Sequence, residues 1–137
     1  MVILAVDYGD VRTGIAVCDK LEFMASPVTV IRERDEARLS LRIAEIAAEK
    51  RAEKIVLGLP KNMDGTEGFR AEACRAFGTV LAETANIPVD FQDERLTTVS
   101  AHQMLNATDT RGKKRKEIVD AVSAVIILED YLRKTKN

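Results

Sequence analysis

Tryptophan is absent, histidine occurs once, and only 4% of the 137 residues are aromatic. The core must therefore be aliphatic, and recognition by stacking bases on exposed rings is disfavoured. A single histidine, His102, leaves no serine–histidine–aspartate or cysteine–histidine relay to argue for, and it reads as a surface residue. The two cysteines, Cys18 and Cys74, form no C-x-x-C pair, so the usual Cys/His zinc site is excluded too. They read as reduced thiols of a cytoplasmic protein. Neither G-x-G-x-x-G nor Gly-Lys-Ser/Thr occurs, which disfavours dinucleotide and P-loop nucleotide binding. No apolar run approaches the roughly 20 residues needed to cross a bilayer. The opening run ends at Asp7 without a basic leader, so neither a secretory signal nor a membrane partner is expected.

What is present fits one domain, residues 1–137, with a sizeable core: 46% of residues are hydrophobic and 31% charged. The net charge of −1 conceals an asymmetry. Residues 111–116, Arg-Gly-Lys-Lys-Arg-Lys, hold five of the 21 cations and no anion, so the remainder is distinctly acidic. One local contact with a polyanion is implied rather than a wholly basic face.

Short apolar runs at Val2–Val6, Thr13–Cys18 and Phe23–Ile31, the last interrupted at Pro27, predict three strands in an antiparallel meander. The period then changes to that of a helix over Glu36–Arg51, where Leu39, Ile43, Ile46 and Ala47 share a face. Lys54–Leu59 reads as a buried strand. Phe69, Ala73, Phe77, Val80 and Leu81 mark a second helix from about Gly68 to Ala85, and Pro88–Phe91 a fifth strand. A short helix capped by Thr97 or Thr98 follows. Asn106–Lys116 reads as a polar, basic loop before a last helix from about Lys116 to Arg133. Strand–helix alternation in the second half requires parallel strands covered by helices, giving a mixed-sheet α/β domain.

The informative residues are carboxylates where a simple core pattern would not put them. Asp7 follows an apolar strand, Glu94 lies just past another, and Asp120 is the only charge between Ile118 and Leu128. Singly, each has an ordinary explanation: a turn former, a surface ion pair with Arg95, a helix-start residue favoured by the dipole. Together they fit a site where strands end in an open α/β sheet. Three acids would make a hard oxygen site for Mg²⁺ or Mn²⁺, and two such ions can promote phosphodiester hydrolysis without a catalytic histidine. Asp7-Tyr8-Gly9 through Arg12 to Gly14 reads as a hairpin turn that could also meet a phosphate. Gly58-Leu59-Pro60 with Lys61 and Asn62 is a strand-to-helix loop with the same option.

These segments, with Asn62-Met63-Asp64-Gly65-Thr66, Asp93-Glu94-Arg95-Leu96-Thr97-Thr98 and Asp120-Ala121 leading into Ser123–Leu128, resemble the YqgF family, also called RuvX-like. That family comprises pre-16S rRNA nucleases and Holliday-junction resolvase relatives. The resemblance implies a ribonuclease H-like fold with a five-stranded mixed sheet whose first three strands are antiparallel. It also implies metal-dependent phosphodiester cleavage, with Asp7, Glu94 and Asp120 as catalytic, metal-binding acids. By the same carry-over Arg12, Asn62 and Arg95 lie on the substrate side, and Lys113, Lys114 and Lys116 approach the nucleic acid.

The first functional expectation is a cytoplasmic nuclease of ribosome biogenesis that trims the 5′ end of precursor 16S rRNA. A second keeps the site but takes branched DNA in recombination and repair, which would call for a homodimer making two symmetric cuts. A third is a non-catalytic RNA-binding, ribosome-associated factor. An actin-like ATPase, suggested by Asp7-x-Gly9, would need two such domains and is disfavoured by length.

Overall fold

The structure is a computed structural model that describes residues 1–61 and 64–93 and the helical backbone from 112 to 136, with side chains from 122 to 135. Its elements are β1 (Ile3–Asp7), β2 (Arg12–Cys18), β3 (Ala25–Arg32), α1 (Glu36–Glu49), β4 (Lys54–Leu59), α2 (Phe69–Ala85), β5 (Val89–Asp93) and α3 (Gly112–Lys136). One sheet of five strands has the order β3-β2-β1-β4-β5. The β1–β2 and β2–β3 pairs are antiparallel, while β1–β4 and β4–β5 are parallel. The carboxyl ends of β1, β4 and β5 consequently share one edge.

Period-two alternation divides the core into two layers. Leu4 and Val6 of β1 pack with Ile43 of α1 and Phe77 and Leu81 of α2. Ile3 and Ala5, one residue out of phase, pack with Ala124, Ile127 and Leu128 of α3. In α1 the spacing holds: Leu39, Ile43, Ile46 and Ala47 are buried, and the Asp35 carboxylate caps the helix by accepting from Arg38 N at 2.9 Å.

Elsewhere the structure departs from the pattern. On α2 the buried stripe is Ala71, Cys74, Phe77, Gly78 and Leu81, whereas Phe69 and Val80 are exposed. Small residues let this helix approach the sheet closely. A Cβ at Gly78 would lie 2.8 Å from Cζ of Phe91. Pro27 lies within β3, which runs to Arg32. It pairs with Ala16 where the register with β2 shifts, and β3 is an edge strand, so the missing N–H is tolerated. The strand β5 continues to Asp93, two residues beyond Phe91.

The largest correction concerns α3. It begins at Gly112, so Lys113, Lys114 and Lys116 occupy its first turns instead of a loop. Lys and Arg are good helix formers, so a polar, basic composition does not by itself mark a loop. The short helix expected after Thr97 or Thr98 lies outside the described residues, as does His102.

One polar contact anchors α3 lengthwise. The nearly buried Tyr131 hydroxyl accepts from Lys54 Nζ at 3.0 Å and donates to Asp90 Oδ2 at 2.8 Å. Burial alone would raise the Asp90 pKa, but hydrogen bonds from Tyr131 and Phe91 N–H, with the Lys54 charge, hold it below the usual carboxylate range. A depressed folded-state pKa contributes stability above the unfolded value of about 3.9, lost as pH falls through the folded value. Asp90→Asn should therefore lower Tm at pH 7, with the deficit closing below about pH 4 in parallel thermal melts. A deficit constant with pH would contradict the contact.

Candidate active site at the carboxyl edge of the sheet

The chain leaves β1 at Asp7, which is half-buried and backbone-paired with Gly14. Alternation puts position 7 on the α3 face with Ile3 and Ala5, whereas Tyr8 packs against the opposite layer. Val6 pairs with Leu57 and Leu57 with Phe91. One step further, Asp7, Gly58 and Gln92 form the next row, of which Gly58–Gln92 is a ladder pair. Gly58 brings no side chain to it. Gln92 shares the α3 face, because Asp90, two residues earlier, meets Tyr131 there.

Position 120 lies toward the same edge. Tyr131 meets both Lys54, which pairs with Ile3, and Asp90, which pairs with Val56, so the end of α3 lies over the first half of β1 and β4. Eleven residues of helix span roughly 16 Å and about three full turns. The four steps from Ile3 to Asp7 span roughly 13 Å. Position 120 thus falls on the stripe of Ala124, Ile127 and Tyr131, on the α3 face and toward the carboxyl edge of the sheet. The side chain of Asp120 is outside the described residues. So is Glu94, although it follows Asp93, which pairs with Leu59 at this same edge. Among the described residues no group of three or more His, Cys, Asp or Glu is placed to hold a metal.

The turn after Asp7 is tightly built. Gly9 N donates to Oγ1 of the fully buried Thr13 at 3.4 Å, and a Cβ at Gly9 would run into the Arg12 carbonyl oxygen. Tyr8 stacks on Phe77 with centroids 4.2 Å apart and planes 5° from parallel. Burial is the main cause that pushes the Tyr8 phenol up. Arg70, from the first turn of α2, donates to the Tyr8 carbonyl at 3.0 Å and to Asp10 Oδ1 at 2.7 Å, and lies over the Tyr8 ring. Sequence reasoning missed Arg70, because sixty residues separate it from Asp10 and no local spacing signals the contact.

Of the remaining expected residues, Arg12 opens β2 at this edge and is half-buried. Asn62 and Arg95 fall outside the described residues, while Lys61, beside Asn62, is half-buried just past β4. Lys113, Lys114 and Lys116 lie on the α3 backbone up to two turns before position 120, so they extend beyond the same edge, with side chains not described.

A family model described as "RuvX: Holliday junction resolvase" matches residues 1–134. The chain belongs to the RuvX family. Its relatives include proteins named "Putative pre-16S rRNA nuclease". That of Leuconostoc citreum (strain KM20) is 45% identical over 135 residues, covering 96% of this chain and 94% of the relative. That of Streptococcus thermophilus (strain ATCC BAA-491 / LMD-9) is 43% identical, covering 96% and 97%. Two solved structures share the fold of this RuvX-family chain. One is T. thermophilus RuvC in complex with Holliday junction substrate, with TM-score 0.62 and 15% identity, covering 98% of this chain and 96% of that one. The other is the Fowlpox virus resolvase with Holliday junction DNA, with TM-score 0.61 and 12% identity, covering 100% of both. The fold is thus ribonuclease H-like, with the antiparallel meander and parallel crossovers expected of it.

For the RuvX-family turn, Gly9→Ala should displace the β1–β2 connection. The expected outcome is a Tm several degrees below wild type and loss of nuclease activity. A variant matching wild type in melts and turnover would show that the turn has slack.

Proposed function

We propose that this RuvX-family chain is a divalent-metal-dependent nuclease that trims the 5′ end of precursor 16S rRNA, with Asp7, Glu94 and Asp120 as its acids. The observation that carries the reading is that Asp7 and position 120 share the α3 face toward the carboxyl edge of the sheet. The pre-16S rRNA nuclease name of relatives more than 40% identical favours the RNA substrate. The reading is of a cytoplasmic protein.

The residues present fit Mg²⁺ or Mn²⁺. Beside the acids, Gln92 Oε1 is a buried oxygen without a hydrogen-bond partner among the described residues, so the edge adds a hard oxygen donor to the carboxylates. When bound, such an ion supplies Lewis acidity and an activated water at neutral pH. The chain's own part is positional. Asp7 is set by its backbone ladder to Gly14, Asp120 by the helix that Tyr131 anchors, and Glu94 by the end of β5. Arg12, Asn62 and Arg95 bind and orient the phosphate beside the cut. Lys113, Lys114 and Lys116 neutralise flanking phosphates, drawing an otherwise acidic protein to one stretch of polyanion.

Branched DNA is the second reading, favoured by the family description and by the fold neighbour bound to a Holliday junction. Two symmetric incisions would then require a homodimer.

Asp7→Asn should reduce cleavage of a precursor 16S rRNA 5′ fragment at least ~100-fold, while Tm and RNA affinity change little. In the wild type, Mn²⁺ at a hundredfold excess over its Kd should add about 2.7 kcal/mol of stability, lost in Asp7→Asn. Unchanged turnover in the variant refutes the mechanism, and no response to metal favours a non-catalytic RNA-binding factor. Replacing Lys113, Lys114 and Lys116 together with Ala should flatten the slope of log affinity against log salt by about 2 units on single-stranded RNA. An unaltered slope would remove these lysines from the interface.

A further inference from the structure

Gln92 Oε1 is buried and accepts no hydrogen bond among the described residues, while Nε2 donates to the Asp93 carbonyl at 3.5 Å. A buried amide oxygen left without a donor costs folding free energy, so folding stability alone does not account for glutamine here. Its location suggests what the oxygen is for. Gln92 lies on the α3 face, in the row it shares with Gly58 and, one strand further, Asp7. Because Gly58 has no side chain, none stands between positions 7 and 92 in that row. An oxygen with almost no accessible surface is closed to a ribose, a base or a water, and what burial at this depth leaves open is a bare divalent cation, which is smaller than a water. A carboxamide oxygen is the neutral, hard donor that Mg²⁺ and Mn²⁺ take.

We propose that Gln92 contributes Oε1 directly to the coordination shell of the divalent cation held beside Asp7. The proposal rests on the carboxylate reading above and adds a neutral member that the sequence motifs do not reveal. Glutamine rather than glutamate at this position completes the shell without placing a fourth negative charge among three acids.

The test uses the full chain and Mn²⁺ alone, with two readouts: thermal melting without metal, and Mn²⁺ affinity by calorimetry. Gln92→Met keeps length and volume but removes the orphaned oxygen. It should raise the metal-free Tm by roughly 3–6 °C while weakening Mn²⁺ binding about 10-fold or more. Gln92→Glu restores an oxygen at the same reach, and should return Mn²⁺ affinity to within about 3-fold of wild type or better while lowering the metal-free Tm. A Gln92→Met protein that gains stability yet binds Mn²⁺ as wild type does would make Gln92 a packing defect and overturn the proposal. If Asp7→Asn abolishes Mn²⁺ binding in that same series, the carboxylate reading survives. A wild-type protein that binds no Mn²⁺ overturns both. Should Gln92→Met not fold, Gln92→Glu decides alone: affinity more than 10-fold below wild type contradicts a donor at this position.

Discussion

Apolar contacts hold a helix on a sheet without fixing where along the sheet it sits. In this molecule α3 packs through Ala124, Ile127 and Leu128, none of which is directional. The Tyr131 hydroxyl, held between Lys54 at the start of β4 and Asp90 of β5, supplies the missing coordinate. Everything inferred about the carboxyl edge depends on that anchor. It sets the direction in which α3 runs over the sheet, with position 120 toward the edge where Asp7 lies. The anchor uses Lys54 Nζ, the Tyr131 hydroxyl and Asp90 Oδ2, so its ordered hydrogen bonds do not compete with a metal site beside Asp7 for the same groups.

Much of this arrangement was legible in the sequence, for identifiable reasons. Alternation in β1 and β2 and the 3.6-residue period of α1 are strong local signals, and β4 was bounded to the residue by its apolar run. The parallel crossovers followed from strand–helix alternation. The parts that were not legible depend on partners distant in the chain. Phe69 and Val80 resemble core residues on a helical wheel, yet α2 buries Ala71, Cys74 and Gly78, the last where Phe91 leaves no room for a Cβ. Arg70 clasps the turn behind Asp7, a contact set only by tertiary packing. The start of α3 was missed because a helix projecting past a sheet edge shows no amphipathic period.

The candidate site divides in the same way. Asp7, Glu94 and Asp120 stood out as charges bordering or interrupting apolar stretches, and family resemblance joined them. Gln92 did not stand out, since a polar residue at a strand end is unremarkable until its oxygen is found buried and unpaired among the described residues. Its cost is of the kind functional sites carry, where stability is given up for a group that acts only with its ligand. Tyr8 and Phe77, stacked on the opposite layer, pack the chain against α2 just where Asp7 leaves the sheet.

The most direct measurement is a crystal structure with Mn²⁺, read at the manganese absorption edge. Anomalous density is expected on the α3 face at the carboxyl ends of β1, β4 and β5, bounded by the side chains of Asp7 and Asp120. Density elsewhere on the molecule, or an Asp120 side chain turned away from Asp7 in the metal-soaked crystal, would contradict the assignment.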